Sequence, residues 1–407
     1  MLTVEQAQSA ALESVSALPS ERLPFLQALG RVLAEPISAT TPLPPFDNSA
    51  MDGFAVIAAD TAGATPATPR ALKLVGDIPA GAVLHGRVGP GTAARIMTGA
   101  PLPEGADAVV MVERTRPGAA GTIEILAPAQ PGDNVRRMGE DIGAGETALD
   151  AGQLLGPGEL GVAAALGCTH VIAVRRPRVA IVTTGSELTN PGDRLKPGAI
   201  YNSNQTAIAA CVLRSGCEVA VALHVDDDEV ALEGALQICA NADAIVTVGG
   251  VSVGDYDYVK AVLARLGDIK FWRLLMKPGR PFAFGTLFGL PLFGLPGNPI
   301  SALVTFEVLV APALRKMAGR RDRLPLTTEA RLLSDLRHKP GRREYCQAVT
   351  RWTEGGLVVE PSPKQGSAML NSVVGSNSLV VIPEISGGLR AGERVTVVLL
   401  GHGSDEL

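Results

Sequence analysis

Hydrophobic positions near the start of the chain recur with the spacing of an α-helix. Val4, Ala7 and Ala11 lie three or four positions apart, and Thr3 with Gln6 forms a capping box before them. The pattern predicts an amphipathic helix that ends at about residue 17. A second helical pattern predicts another helix over residues 23–33.

Short apolar stretches interrupted by glycine and proline run from residue 44 to residue 143. Such stretches predict short strands joined by tight turns, and therefore a β-rich module. Helical spacing returns at residues 159–167. We therefore expect residues 1–43 and 144–176 to form one helical domain, with the β-rich module inserted into it.

Strand-like and helix-like patterns alternate over residues 177–325. Apolar runs such as RVAIVTTG and DAIVTVGG predict buried strands, and stretches with helical spacing separate them. Alternation of this kind predicts βαβ units around a mostly parallel sheet. Residues 326–407 keep only strand-like alternation with glycine turns, which predicts a small β-barrel or sandwich. The expected fold class is α/β plus β, in several domains.

Composition narrows the classes of function. The 407 residues include 36 basic and 41 acidic side chains, and the net charge of −5 argues against a surface built for nucleic acid. Five cysteines without a C-x-x-C pair predict reduced, buried thiols, and the scattered histidines argue against a structural zinc site. The start lacks the basic segment of a signal peptide, and prolines break the most apolar stretch, residues 291–314. We therefore expect no membrane association.

Three loops rich in small residues follow strands of the α/β region, and ligands bind at the carboxyl ends of such strands. Together they provide the candidate substrate-binding residues Thr184, Gly185, Ser186, Gly249, Gly250, Ser252, Gly254, Pro296, Gly297 and Pro299. The glycines at 249–254 have the spacing of an ATP-binding P-loop, but Asp255 and Tyr256 stand where lysine and serine or threonine are required. We therefore expect a site for an anionic ligand, not an ATPase loop.

Carboxylates accompany these loops. Glu187, Asp227 or Asp228, and Asp257 each follow a predicted strand end, and clustered carboxylate oxygens suit Mg²⁺. Asp227 and Asp228 have an equally good interpretation as caps of the next helix.

The basic counterpart is the loop Lys277-Pro278-Gly279-Arg280-Pro281. Its two cations suit phosphate or a molybdate-like oxyanion, and its prolines restrict the backbone around them. Asp52 and Asp141 lie in glycine turns of the β-rich module, where an aspartate is most often a turn residue.

An ordered set of motifs along the whole chain resembles the molybdopterin molybdenumtransferase family, also known as MoeA-like proteins and the gephyrin E domain. The motifs are FDNSAMDGFAV, RIMTGAPLPEGADAVVMVE, RRMGEDI, TTGSEL, GGVSVGDYDYVK, KPGRPFAFG, GLPGNPISALVTFE, GSAMLNS and SLVVIPE. Each motif is weak alone, but the ordered set is specific.

The resemblance implies an enzyme that inserts molybdate into adenylylated molybdopterin and releases AMP with the help of Mg²⁺. It implies an elongated cytoplasmic homodimer, with residues 1–43 and 144–176 in dimerisation, 177–325 as the molybdopterin-binding domain and a C-terminal barrel. It places the cleft between the α/β domain of one subunit and the β-rich module of the other. By motif position, the implied catalytic residues are Asp52, Thr98, Asp141, Glu187 and Asp257, and the implied metal ligands are Glu187, Asp227, Asp228 and Asp257.

The sequence departs from the family pattern at two positions, and two alternative functions stay open. Arg280 stands where a second lysine is usual, and Ser186 where an aspartate is common. A molybdopterin adenylyltransferase and a non-catalytic, gephyrin-like scaffold are the alternative functions. Expected protein partners are a molybdopterin adenylyltransferase and molybdoenzymes that accept the cofactor.

Overall fold

The computed structural model describes residues 1–250 and 258–401. Residues 1–43 contain α1 (Val4–Glu13), β1 (Ser20–Pro24) and β2 (Ile37–Ser38). Residues 44–143 contain β3 (Asn48–Ser49), β4 (Gly53–Val56), β5 (Arg70–Ile78), β6 (Thr92–Ile96), β7 (Ala108–Met111), β8 (Thr115–Pro117), β9 (Thr122–Ile125) and β10 (Val135–Arg136). Residues 144–176 contain β11 (Thr147–Leu149), α2 (Pro157–Ala165) and β12 (His170–Val174).

The second half of the chain continues the same numbering. The α/β region comprises β13 (Arg178–Thr184), β14 (Leu188–Thr189), β15 (Ile200–Tyr201), α3 (Ser203–Arg214), β16 (Glu218–Val225), α4 (Glu229–Ile238), β17 (Ala244–Val248), α5 (Tyr258–Leu266), β18 (Gly267–Arg273), β19 (Met276–Lys277), β20 (Pro281–Leu287), β21 (Leu290–Leu295), α6 (Pro299–Thr305), a π-helical turn (Phe306–Val310) and α7 (Ala311–Met317). The C-terminal region comprises β22 (Thr327–Leu332), β23 (Leu336–Arg337), β24 (Arg343–Thr353), β25 (Gly356–Pro361), β26 (Ser378–Ile382), β27 (Gly388–Leu389) and β28 (Arg394–Leu399).

The first helix has the predicted start but ends at Glu13, earlier than the predicted end at about residue 17. Thr3 Oγ1 accepts from the backbone N–H of Gln6 at 3.2 Å, and the Gln6 side chain accepts from Thr3 N at 3.0 Å, so the capping box is confirmed. The second predicted helix is wrong. Its first residues lie in β1, which pairs antiparallel with β12, and a 3-10 turn follows at Phe25–Ala28. Pairing with a strand about 150 residues away outweighs the weak local helical spacing.

The predicted α/β sheet is confirmed, with the strand order β16-β13-β17-β21-β20-β18. The first four strands are parallel to one another. β20 runs antiparallel to β21, and β18 runs antiparallel to β20. Alternate residues of β13 face opposite sides. Val179 and Ile181 belong to a core with α1, α3 and the helix that begins at Pro299, whereas Ala180 and Val182 pack with α4 and α5. Both faces of the sheet are therefore covered by helices.

Two further six-stranded sheets flank this domain. Residues 44–143 contain the sheet β7-β4-β6-β5-β9-β8, whereas β1 with β12 and β2 with β11 join the segments on either side of it. In the C-terminal region β24, β25, β22, β28 and β26 form a closed ring, because β26 also pairs with β24. The C-terminal region is therefore a five-stranded barrel and not a sandwich. The short strand β19 of the α/β region pairs with β24 on its outside.

Four of the five cysteines match the expectation of buried thiols, whereas Cys168 is only partly buried. All five are free, and burial raises the pKa of Cys211 and Cys239 to about 11 and that of Cys217 and Cys346 to about 12. Among the described residues, no helix has the length and apolar character needed to cross a membrane.

Asp243 connects the starts of two neighbouring strands, and its substitution tests the pH dependence of stability. Its carboxylate accepts from Arg175 at 2.6 and 2.7 Å and from Arg178 N at 2.8 Å. Burial alone would raise the pKa of Asp243, but these donors hold it below its ordinary value. Asp243→Asn is expected to lower the free energy of unfolding by about 2 kcal/mol at pH 7.

The pH dependence of this loss has a defined sign. A lowered folded-state pKa stabilises the protein above the unfolded pKa of about 3.9, and this stabilisation is lost as the pH falls through the folded value. Urea titrations at pH 7 and below pH 4 should therefore show a difference between wild type and variant that shrinks in acid. Exposed Asp77→Asn is the control, and a loss independent of pH would contradict this account.

Candidate active site

A cleft of about 840 Å³ lies where the carboxyl ends of the α/β strands face the C-terminal barrel. One wall consists of the loops after β13, β17 and β21, and the other of β24 with residues 365–368. The loop Lys277–Pro281 lines the cleft between them. The cleft is therefore formed by two regions of a single chain.

The three predicted strand-end loops are adjacent. Gly249 N donates to Leu295 O at 3.1 Å, which joins the end of β17 to the end of β21. Gly249 has φ +101°, and a Cβ there would lie 2.8 Å from the carbonyl oxygen of Thr184. Only glycine permits that close approach. A Cβ on Gly297 would lie 3.8 Å from the Gly249 Cα, so the third loop packs beside the second.

Two asparagines that were not predicted hold these loops in place. Asn202, the N-cap of α3, donates from Nδ2 to Thr183 Oγ1 at 2.7 Å, and Asn204 donates from Nδ2 to Gly297 O at 2.6 Å. The N-cap position directly after a strand was a signal available in the sequence. Asn298 also occupies an N-cap position, as its place before Pro299 suggests, but its side chain makes no cap hydrogen bond and instead donates to Ser367 Oγ at 3.4 Å.

The predicted carboxylates separate into two structural roles. Asp228 Oδ1 accepts from Ala231 N at 2.7 Å, so Asp228 caps α4. Asp227 instead contacts the loop after β13, since its N–H donates to Ser186 Oγ at 3.0 Å and its carboxylate accepts from Ser186 N at 3.3 Å. Glu187 lines the cleft and folds back over Gly185, where a Cβ would lie 2.4 Å from its Oε2.

The carboxylate oxygens near Ser186 are ligands of the type that Mg²⁺ prefers. The described residues contain no group of three or more His, Cys, Asp or Glu side chains arranged for a metal. Mg²⁺ keeps several waters and is held by one or two carboxylates plus substrate phosphates, so a full protein cage is not needed. Glu187 and Asp227 supply that number of carboxylates at this loop. The other predicted residues Ser252, Gly254 and Asp257 lie outside the described residues.

The basic loop is held against the barrel. β19 runs parallel to β24, which pairs Met276 with Arg343 and Lys277 with Glu344. Lys277 Nζ lies 2.7 Å from Glu344 Oε1, and Arg280 also lines the cleft. The barrel thus faces the two cations that the sequence assigned to an oxyanion.

The wall formed by the barrel was missed by sequence reasoning. It adds the lining residues Arg342, Glu344, Gln347, Gln365 and Ser367. Gln347 is 1% exposed, and its Nε2 has no hydrogen-bond partner among the described residues. Buried polar residues on the apolar strand β24 were a signal available in the sequence. The pairing of that strand with β19 was not.

Asp52 and Thr98 are brought together elsewhere, on the β-rich module. Asp52 Oδ1 accepts from both the backbone N–H and the hydroxyl of Thr98, each at 2.7 Å. These two bonds hold the pKa of Asp52 below its ordinary value. Asp141 is exposed beyond β10, which pairs with β3 next to Asp52. Among the described residues that line the cleft, none belongs to this module.

Gly279 tests how the basic loop is seated. It has φ +95°, and a Cβ there would lie 2.2 Å from Thr305 Oγ1. Gly279→Ala is expected to cost about 1–3 kcal/mol of stability and to displace the loop that carries Lys277 and Arg280. Urea titration and calorimetric titration with molybdate measure the two effects. Gly289→Ala is the matched control, since its φ is +78° with nothing within 4 Å of the added Cβ. Equal anion affinity in both variants would show that the loop does not move.

Three family models match consecutive parts of the chain. They are described as "MoeA N-terminal region (domain I and II)" over residues 2–167, "Probable molybdopterin binding domain" over residues 180–316 and "MoeA C-terminal region (domain IV)" over residues 329–400. Together they cover most of the sequence, including both walls of the cleft.

Known proteins resemble the chain over its full length. It is 42% identical over 405 residues to molybdopterin molybdenumtransferase 2 of Mycobacterium tuberculosis, covering 98% of this chain and 99% of the relative. It is 37% identical over 406 residues to the molybdopterin molybdenumtransferase of Haemophilus influenzae, covering 99% of each. The crystal structure of a molybdopterin biosynthesis MoeA protein from Pyrococcus horikoshii OT3 superposes with a TM-score of 0.85 at 32% identity, covering 98% of this chain and 100% of that one.

Proposed function

The chain belongs to the MoeA family of molybdopterin molybdenumtransferases, and from this premise we propose that its cleft takes up adenylylated molybdopterin and molybdate and releases AMP and molybdenum cofactor. The chain is a transferase of molybdenum cofactor biosynthesis. The observation that carries the proposal is the position of Lys277, Arg280 and Arg342 opposite the strand-end loops of one cleft. Both substrates are anionic, and both basic side chains and the backbone N–H groups of such loops bind oxyanions.

Different residues of the chain bind the two substrates. Pterin phosphate and AMP lie along the strand-end loops, where the backbone at Gly249 leaves room for close approach. This assigns substrate binding to Thr184, Gly185, Ser186, Gly249, Gly250, Pro296, Gly297 and Pro299. Lys277 and Arg280 bind molybdate. The proposed domains keep the predicted bounds except that α1 packs on the α/β sheet, with residues 177–325 holding the pterin and residues 326–407 closing the cleft.

Glu187 and Asp227 would hold Mg²⁺ at the loop after β13. When bound, Mg²⁺ neutralises charge on the phosphoanhydride oxygens. Asp228 contributes to this region as the cap of α4. Asp257 stays a prediction from motif position.

The β-rich module acts in the cleft of a second subunit, so the proposed enzyme is a homodimer. Support comes from its separation from the cleft of its own chain and from the surface around Asp52. That surface exposes the apolar side chains of Phe46, Met51, Val112 and Met138. Adjacent exposed apolar side chains are typical of an interface. Asp52, Thr98 and Asp141 would then reach the phosphoanhydride from the partner's side.

The reaction balances with these two substrates. Two thiol groups of the pterin condense with molybdate, forming two Mo–S bonds and releasing one water. One water attacks the phosphoanhydride, the P–O bond to AMP breaks, and AMP leaves. An anionic Asp52 is suited to orient that water or accept its proton.

Incubation of the purified protein with adenylylated molybdopterin, molybdate and Mg²⁺ tests the proposal. We expect stoichiometric AMP, measured by chromatography, and activation of a cofactor-free molybdoenzyme. No AMP release would refute the assignment. Consumption of ATP with unadenylylated molybdopterin would indicate an adenylyltransferase, and inertness in both assays with intact folding would indicate a scaffold.

The same proposal implies a cellular location and protein partners for the enzyme. A cytoplasmic location agrees with five free cysteines. The partners would be the enzyme that adenylylates molybdopterin and the molybdoenzymes that receive the cofactor.

A further inference from the structure

Glu344 connects the basic loop of the cleft to a buried histidine. It is 8% exposed, and its Oε1 lies 2.7 Å from Lys277 Nζ. The Lys277 side chain is 53% exposed, whereas the Glu344 side chain is 11% exposed. A half-exposed cation is therefore held by a nearly buried anion.

The second oxygen of Glu344 contacts a buried histidine. His338 Nδ1 lies 2.6 Å from Glu344 Oε2, and the His338 side chain is 2% exposed. His338 Nε2 is buried and has no hydrogen-bond partner among the described residues. An ionised carboxylate only accepts hydrogen bonds, so His338 Nδ1 carries the hydrogen of this contact. His338 therefore donates to Glu344 and leaves the carboxylate free to accept from Lys277.

We propose that Glu344 is a positioning residue of the oxyanion site, which holds the Lys277 ammonium towards the cleft, and that His338 orients Glu344. The inference rests on the proposed function, since the oxyanion is the molybdate or the pterin phosphate of that reaction. A free lysine loses rotamer freedom when it binds an anion. Holding it beforehand removes that cost from binding.

Because Glu344 is negatively charged, the direction in which oxyanion affinity changes on its removal distinguishes two roles. The charged groups that line the cleft are Lys277, Arg280 and Arg342 as cations and Glu187 and Glu344 as anions, and of the two anions Glu344 is the one paired with Lys277. If Glu344 only repelled oxyanions, its removal would strengthen binding. If it positions Lys277, its removal weakens binding although a negative charge has gone.

Glu344→Gln tests the positioning role. Calorimetric titration with molybdate alone should show affinity reduced about tenfold, as is typical when an orienting partner is lost. Steady-state AMP release should show which substrate is affected: a higher KM for molybdate places molybdate at Lys277, and a higher KM for the adenylylated pterin places the phosphate there. Glu360→Gln is the matched control, a barrel carboxylate that contacts Ser334 Oγ at 2.5 Å instead of the basic loop. Unchanged or increased molybdate affinity with unchanged KM for the pterin would overturn the proposal.

A double-mutant cycle separates positioning from a structural effect. In a Lys277→Gln background, Glu344→Gln should change oxyanion affinity by less than about twofold, because the side chain that it positions is gone. An equal loss in both backgrounds would show that Glu344 acts on the fold alone.

His338 provides a second route to the same conclusion. His338→Asn keeps a donor near the Nδ1 position and should retain affinity within about threefold, whereas His338→Leu should match Glu344→Gln. Equal behaviour of the two His338 variants would remove His338 from the arrangement. The binding titrations need no turnover, so failure of the proposed reaction would be seen separately, as absent AMP release by the wild type.

Discussion

Asp52→Asn is expected to lower kcat for AMP release about a hundredfold, within the range that a positioned acid or base contributes. Thr98 donates two hydrogen bonds to one oxygen of Asp52, which fixes the carboxylate and keeps it ionised. The amide of asparagine has the same shape but carries no negative charge. It can neither accept a proton nor support a nearby cation.

The measurement is single-turnover AMP release together with thermal unfolding. Asp52 is exposed, so the unfolding midpoint should stay that of the wild type. Asp60→Asn is the control, because Asp60 also accepts a backbone N–H, that of Gly91 at 2.8 Å, on the same module. A wild-type rate for Asp52→Asn would remove this residue from the site.

A mixture of two variants tests whether each active site is shared between the subunits of the proposed dimer. Asp52→Asn and Lys277→Gln change residues that one chain places apart and that the proposed dimer brings together. In a statistical mixture, half of the dimers combine both variants, and one of their two sites is intact. Co-expression should therefore restore roughly a quarter of the wild-type activity. Activity that stays at the level of the parents would indicate that each site is built within one chain.

Glu307→Gln is expected to lower the free energy of unfolding by about 3 kcal/mol, since it breaks a buried ion cluster by removing one partner. Glu307 accepts from Arg214 at 2.6 Å and from Arg315 at 3.2 Å, and its side chain is 4% exposed. It joins α3 to the helix that begins at the cleft loop. Without the carboxylate, two half-buried guanidinium groups lose their shared acceptor.

Urea titration measures this loss, and a triple variant provides the control. Replacing the cluster by Arg214→Met, Glu307→Leu and Arg315→Met removes every charge at once, so most of the stability should return. A loss in the triple variant as large as in Glu307→Gln would show that packing, and not the loss of the shared carboxylate, determines the effect. AMP release by the folded fraction should stay close to that of the wild type.

The sequence predicted the α/β sheet and its loops well because their signals are local. Apolar runs of strand length and glycines at strand ends each act within a few residues. The prediction failed at residues 23–33, where helical spacing is weak and the observed strand depends on a partner at residues 170–174. It also missed Asn202 and Asn204, whose bonds connect separate loops.

What the sequence determined by itself was the series of elements in the α/β region, four buried thiols and the candidate loops of the cleft, since all of these follow from the types and spacing of nearby residues. Only the tertiary structure decided what faces those loops. Lys277 meets Glu344 across a strand pairing that no local pattern encodes, and Glu344 is in turn held by His338. The same holds for Asp52, which gains its two donors from Thr98 through the approach of separate turns. Such contacts depend on how whole domains pack, because burial rewards any apolar face that fits, whereas a polar contact forms only where that packing brings its two partners together.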